Sequence, residues 1–169
     1  MAKISKLDIA IEQLEDALRS YFARRYHSAI VLAGAAEQLL AAYVMRHQVT
    51  PAWLEERRII TKIANGLRAR DEGGDDEKTT EQDIGDLLNH AYNHSKHAGK
   101  KDHLISFNPR FESNAIIDRA ISNFDALFSR SEYNLTDLPL AQEFRMESSD
   151  EVTLEDIDGE IDTSPKESR

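Results

Sequence analysis

The sequence contains no cysteine, which excludes disulfides, thiolate metal sites and thiol nucleophiles and is typical of a reducing cytoplasm. It also lacks a run of 18 or more apolar residues, and residues 1–20 lack the basic-then-apolar order of a signal peptide. Glycine-rich phosphate loops, serine elbows and paired catalytic carboxylates are missing too. We therefore expect a cytoplasmic protein with no membrane segment and no cofactor.

Basic residues are in the minority, but the excess of negative charge is concentrated in two segments. The 169 residues include 31 Asp and Glu and 21 Lys and Arg, which gives a net charge of −10. Residues 132–169 contribute −9 of this total, and Asp71–Asp86 contain 8 acidic residues and a single basic residue, Lys78. The remaining segments are mildly basic. The total charge therefore argues against RNA as a ligand, whereas the charge of the other segments does not.

Apolar residues recur at helical spacing, and strand-like alternation never persists beyond about four residues. Capping residues and prolines divide the chain into segments. Five helices are predicted: Ser5–Phe22, Tyr26–His47, one begun by Thr50-Pro51 and ending near Asp71, one capped by Thr79 or Thr80 and running to about His97, and one begun by Asn108-Pro109. The fold class predicted is all-α, an antiparallel bundle of about five helices.

The organisation predicted is one helical domain with an appendage. Residues 1–131 form the domain, and residues 132–146 form a short helical turn or linker, with the turn at Leu138–Phe144. Residues 147–169 have too few apolar side chains to offset the entropy of ordering, so we expect a disordered acidic C-terminal tail. The tail is either a solubilising segment or one that binds a partner or inhibits the protein itself.

The fourth predicted helix concentrates imidazole and amide groups on one side. On a helical wheel, His90, His94 and His97 occupy an arc of about 60° beside Asn93. Histidine titrates near neutrality and therefore suits proton transfer. The opposite, apolar face is formed by Ile84, Leu87, Leu88, Ala91 and Ser95.

Three interpretations of this histidine face remain open. In the first, the histidines are surface side chains on a solvated helix without a specific role. In the second, they bind zinc or nickel, because His90 and His94 are an i, i+4 pair to which His97 and His103 add further imidazoles. The third interpretation depends on a resemblance to a known family.

Three segments carry this resemblance: Tyr26–Leu40 within a helix pair, Leu88–His97, and Ala115–Phe128. Together, over residues 6–130, they resemble the HEPN superfamily of small all-α domains from bacterial toxin, defence and RNA-processing systems. The hallmark of that family is an arginine, usually followed by Asn, His or Asp, with four to six residues in all between the arginine and a histidine. Asn93 and His97 match this motif, whereas Tyr92 stands at the position of the arginine, and no spacing supplies an arginine.

The resemblance implies a homodimer in which the motif residues of two subunits meet in a groove and cleave RNA without metal. His97 would then be the general base, with Asn93 and Tyr92 as further catalytic candidates. The RNA or phosphate-binding candidates are Lys96, Lys100, Lys101 and Arg110. The missing arginine favours a non-catalytic interaction module with an RNA or protein partner, so the nuclease and the histidine metal site stay as alternatives, and whether the protein is an enzyme remains open.

Overall fold

The computed structural model describes residues 3–69, 78–96, 106–133 and 135–150. All regular structure in these ranges is helical, which confirms the predicted all-α class. The described ranges contain seven α-helices rather than the five predicted, and a 3-10 turn at Ser131–Tyr133 precedes the last of them. The helices are α1 (Lys6–Phe22), α2 (Tyr26–Arg46), α3 (Ala52–Arg68), α4 (Glu81–Leu88), α5 (His90–Lys96), α6 (Pro109–Phe128) and α7 (Pro139–Asp150).

Helix α2 lies at the centre of the core and packs along α1 and α6. Its apolar middle contains small residues, which allow the neighbouring helices to approach closely. Phe144 of α7 is fully buried in the same core, and its ring centroid lies 5.1 Å from that of Tyr21 on α1. The largest fully buried apolar side chains are Leu14, Leu18, Ile30, Leu40, Val44, Ile116, Ile117, Ile121, Leu127 and Phe144.

Three helix starts were predicted correctly from capping residues. The hydroxyl of Ser5 accepts a hydrogen bond from the Leu7 amide at 3.1 Å. Asn108 caps α6, with Pro109 at its first position, and Thr80 forms a reciprocal capping box with Asp83.

The start of α3 differs from the predicted Thr50-Pro51 cap. The helix begins at Ala52, and Pro51 occupies the capping position without a side-chain hydrogen bond. The Ala52 amide donates instead to Oδ1 of the buried Asn123 on α6, at 3.0 Å. A side chain distant in sequence thus supplies the partner that a local cap would have supplied.

The prediction of one continuous fourth helix was wrong, because the chain turns at Asn89 between α4 and α5. The Asn89 backbone leaves helical geometry, with φ −103° and ψ 4°. Both its amide N–H and its side-chain Nδ2 donate to the Gly85 carbonyl, at 3.2 and 2.9 Å. Asparagine commonly competes for backbone groups in this way, and the turn changes which residues α4 presents to the core. Leu87, assigned to the apolar face, is 65% exposed.

Helix α7 is longer than the predicted turn at Leu138–Phe144, since it continues to Asp150. The first residues of the segment predicted as a tail are therefore helical. The remaining tail residues, 151–169, and most of the acidic segment that begins at Asp71 lie outside the described residues.

Among the helices in the described ranges, α2 alone combines the length and apolar composition needed to cross a membrane. The central helix of a water-soluble bundle meets the same two criteria. In this bundle, 50% of the most apolar stretch of α2 is buried.

Candidate functional site

Tyr92, at the arginine position of the predicted motif, is a core residue. Tyr92 is 6% exposed, and its ring lies against α2 at Gly34. A Cβ atom added at Gly34 would come within 2.4 Å of the Tyr92 ring, so the glycine is what allows the ring to lie there. The phenol is thereby packed between α2 and α5 and is not directed at a solvent-facing site.

Lys96, predicted to bind phosphate, lies against the same ring. Its Nζ is 3.9 Å from the centroid of Tyr92, which is the geometry of a cation–π contact. The lysine side chain itself is exposed at the end of α5. This pair places the ammonium group of Lys96 over an aromatic face.

Asn93, unlike Tyr92, faces solvent and lines a cleft of about 290 Å³ between α2, α3 and α5. We call this the α2–α3–α5 cleft. Its rim carries exposed side chains, and its base is formed by buried residues of α2. The lining residues are Glu37, Gln38, Ala41, Met45, Trp53, Asn89 and Asn93.

His90 and His94 are both exposed, and their ring centroids lie 4.3 Å apart. Across the described ranges, no group of three or more histidine and acidic side chains is placed to hold a metal ion. His97 and His103 complete the predicted metal and catalytic sets, and both lie outside the described residues, as do Lys100 and Lys101.

Arg110, the last predicted phosphate-binding residue, lines a separate cleft of about 370 Å³ between α1, the start of α2, α6 and α7. Its guanidinium is 3.5 Å from the carboxylate of Glu147 on α7. The structure thus brings Tyr92 and Lys96 into contact and puts Asn93 on a neighbouring cleft, whereas Arg110 belongs to a different surface feature.

Glu37, at the base of the α2–α3–α5 cleft, is a buried carboxyl group in the middle of the most apolar helix. It is 5% exposed, and its Oε1 atom finds no hydrogen-bond partner among the described residues. Burial raises the pKa of Glu37 to about 7, an effect that nearby Glu56 reinforces and Arg119 opposes. Near neutral pH this side chain therefore exchanges between its charged and neutral forms.

Arg119 of α6 is the buried cation behind this cleft, at 4% exposure. Its Nη1 pairs with the Glu56 carboxylate at 3.0 Å, and its Nη2 donates to the Leu88 carbonyl at 3.3 Å. Leu88 is the last residue of α4, so the guanidinium binds where the negative end of that helix dipole lies. Arg119 thereby ties α3 and α4 to α6 just below the turn at Asn89.

Sequence reasoning identified Asn93 but did not identify the polar groups behind it. Glu37 is a charged residue within the apolar middle of α2, and this was the signal that could have found it, because a charged residue is rarely fully buried unless it is paired. The sequence around Arg119 gave no sign that this residue is buried, because Arg119 lies next to the apolar stripe of α6 and not within it. Its burial depends on α3 and α4 packing over it, which local periodicity does not report.

Chemically, the cleft offers a carboxyl group at its base, amides at its rim and an indole on one wall. These groups can accept hydrogen bonds and contact a planar or apolar group, and they suit binding. No protein-family model, curated protein or solved structure matches this chain.

Proposed function

We propose that this protein is a non-catalytic, HEPN-like helical interaction module of a bacterial toxin, defence or RNA-related system, and that it acts as a homodimer. The burial of Tyr92 against Gly34 is the observation that carries this proposal. The position at which the family places its catalytic arginine is here part of the hydrophobic core.

Metal-independent RNA cleavage needs cationic donors for the charge that develops on the phosphorus centre. Arginine supplies a bidentate, permanently charged group for that purpose, and a buried phenol does not replace it. Lys96 is the nearest described cation, and its ammonium lies over the Tyr92 ring. The local arrangement therefore supports binding better than it supports turnover.

The dimer is proposed to form through the solvent-facing side of α4 and α5. Leu87 is 65% exposed there, and the exposed rings of His90 and His94 follow it along the chain. In a symmetric dimer this surface would face its own copy. We expect a dimeric mass at micromolar concentration by analytical ultracentrifugation, a monomer for Leu87→Asp, and an unchanged dimer for Phe111→Asp, a matched exposed position on α6. A monomeric wild type would contradict the dimer.

Catalysis is tested by incubating the purified protein with total bacterial RNA and with defined single-stranded RNA, with His97→Ala as the matched variant. We expect no cleavage from either protein. Cleavage by the wild type that disappears in His97→Ala would overturn the proposal and establish the metal-independent endoribonuclease alternative.

That alternative has one supporting observation, the solvent exposure of Asn93 together with His90 and His94 on α5. The same imidazoles are the basis of the metal-binding alternative. Elemental analysis of protein purified without a histidine tag distinguishes the nuclease alternative from the metal-binding alternative. A stoichiometric amount of zinc or nickel is expected only if the histidines bind a metal ion.

A further inference from the structure

The α2–α3–α5 cleft has at its base a carboxyl group with one oxygen that finds no hydrogen-bond partner in the described part of the chain. Glu37 is 5% exposed, and its Oε1 has no hydrogen-bond donor among the described residues. A buried polar group without a partner is unfavourable, and a carboxylate is more unfavourable than a neutral group. A ligand that brings N–H donors into the cleft would therefore relieve a cost that the free protein carries.

The charges around Glu37 are unbalanced in favour of a cation. Arg119 is the buried positive group nearby, and its two Nη atoms are already engaged by Glu56 and by the Leu88 carbonyl. Two carboxyl groups, those of Glu37 and Glu56, thus lie near one buried guanidinium, which pairs only with Glu56. An anionic ligand, including the phosphate backbone of RNA, would be repelled from this cleft, whereas a cationic group would complete the charge balance.

The shape and the lining indicate which cation fits. Trp53 forms one wall, and the amides of Asn89 and Asn93 stand at the rim. A guanidinium is planar, stacks on aromatic rings and presents five N–H donors, which can serve a carboxylate and amide oxygens together. The protein already makes both kinds of contact beside this cleft. The Arg57 guanidinium lies 4.9 Å from the centroid of the Trp53 ring, and the Arg119 guanidinium pairs with Glu56.

We propose that the α2–α3–α5 cleft binds the arginine side chain of a partner protein, with Glu37 as the carboxylate that pairs with the guanidinium. Trp53 packs against the guanidinium or its alkyl stem, and the amides of Asn89 and Asn93 accept its outer N–H groups. This inference rests on the proposed role as an interaction module and names the chemistry of the partner. The cleft volume of about 290 Å³ is sufficient for one long side chain.

The test uses the intrinsic fluorescence of Trp53, the only tryptophan in the chain, as a reporter inside the cleft. The full-length protein is titrated with an acetylated, amidated Gly-Arg-Gly peptide and with the same peptide carrying lysine or citrulline. Citrulline keeps the shape of arginine and loses its charge. We expect a saturable fluorescence change with arginine, and binding weaker by about tenfold or more with citrulline and with lysine.

Two variants refine the test. Glu37→Gln keeps the side-chain volume and should weaken the binding of the arginine peptide by about tenfold or more. Glu55→Gln changes an exposed residue outside the cleft and should leave the affinity for this peptide at the wild-type value. The comparison of arginine with citrulline needs only the wild type, so it stands even if Glu37→Gln fails to fold. Equal binding of the arginine and citrulline peptides would overturn the proposal. So would the absence of a fluorescence response to either peptide at a concentration of about 10 mM, because still weaker binding would not be specific.

A stronger response to nucleoside monophosphates than to the arginine peptide would also overturn it, because the cleft would then prefer an anion. These outcomes are independent of RNA cleavage and of the dimer mass. Failure of the arginine site can therefore be distinguished from failure of the interaction-module proposal.

Discussion

Helices α2 and α3 are both long and both carry many apolar residues, yet they have opposite positions in the fold. In α2, nine residues are buried, and the helix is in contact with α1, α5 and α6. In α3, none of the 17 residues is buried, and Ile59, Ile63 and Leu67 are all at least half exposed. Apolar periodicity therefore predicted that both segments are helical, but it did not predict how deeply each one is buried.

The difference bears on where a site can form. The core helix contributes a rigid base with a buried charge, Glu37, and the peripheral helix contributes a partly exposed aromatic wall, Trp53. A site at the border of the two is held firmly on one side and accessible on the other. The α2 region and the peripheral layer formed by α3 and α4 should therefore respond differently to the same kind of substitution.

The largest contrast is expected from matched truncations. Leu40→Ala removes a fully buried side chain from α2 and should lower the free energy of unfolding by about 2–5 kcal/mol. Ile63→Ala removes a side chain that is 57% exposed on α3 and should change it by less than about 0.5 kcal/mol. Urea denaturation of both variants measures the two effects. Similar losses would mean that α3 buries its apolar stripe in the native protein in solution.

The next effect is a pH dependence that originates in α2. The pKa of Glu37 rises from its ordinary value of 4.5 to about 7 in the folded protein, so the folded state holds this proton more tightly than the unfolded state. The contribution of Glu37 to the free energy of unfolding should therefore be largest below pH 4.5 and should be lost as the pH rises through about 7. The full change is about 3 kcal/mol.

Denaturation series from pH 4.5 to 8 check this dependence. Glu37→Gln should flatten most of the slope, because the amide does not titrate. Asp118, whose pKa burial also raises, retains a contribution of the same sign in this variant. Glu55→Gln on α3 serves as the control and should keep the wild-type slope. If Glu37→Gln leaves the slope unchanged, the carboxyl is not buried as described.

A smaller contrast comes from adding one methyl group to a glycine on each helix. Gly34→Ala forces a Cβ to within 2.4 Å of the buried Tyr92 ring, and the resulting overpacking should cost about 1–3 kcal/mol, less a helix-propensity gain of up to about 1 kcal/mol. Gly66→Ala on α3 meets nothing within 4 Å and should be stabilising by up to about 1 kcal/mol. Thermal unfolding of the pair gives opposite signs if the description is right, and the same sign if Tyr92 can swing away.

The smallest effect concerns a cap in the peripheral layer. Thr80→Ala removes the hydroxyl that accepts from the Asp83 amide at 3.2 Å and disrupts the capping box of α4. We expect a loss of about 1 kcal/mol. Hydrogen exchange should show faster exchange confined to α4 and unchanged protection in α2. A uniform loss of protection would show that the two regions unfold as one unit.

Much of the fold could be predicted from local signals. Ser5, Thr80 and Asn108 marked helix starts correctly, because a cap depends only on residues within one turn of it. The turn at Asn89 was missed, since asparagine also occurs within helices and its competition for the Gly85 carbonyl is apparent only from the geometry. The exposure of Leu87 follows from that same turn and could not be read from a wheel drawn through a continuous helix.

In the candidate site too, the features that depend on one helix could be predicted and those that depend on several helices could not. Asn93 was chosen because its angle on the wheel lies opposite the apolar face, and the structure does expose it. Tyr92, a catalytic candidate from the motif, is buried, and a wheel drawn for one helix cannot show that Gly34 of another helix leaves room for its ring. Arg119 comes near Glu37 only when α2 and α6 pack together, and no pattern within one helix encodes that proximity.

The contact between Gly34 and Tyr92 also has a consequence for evolution and engineering. A single codon change that placed arginine at position 92 would remove an aromatic ring that fills the space over Gly34 and would put a charge in its place. The change would lower stability before any new activity could be selected. An arginine at position 92 would therefore need compensating substitutions on α2 first, so packing imposes the order in which these positions can change.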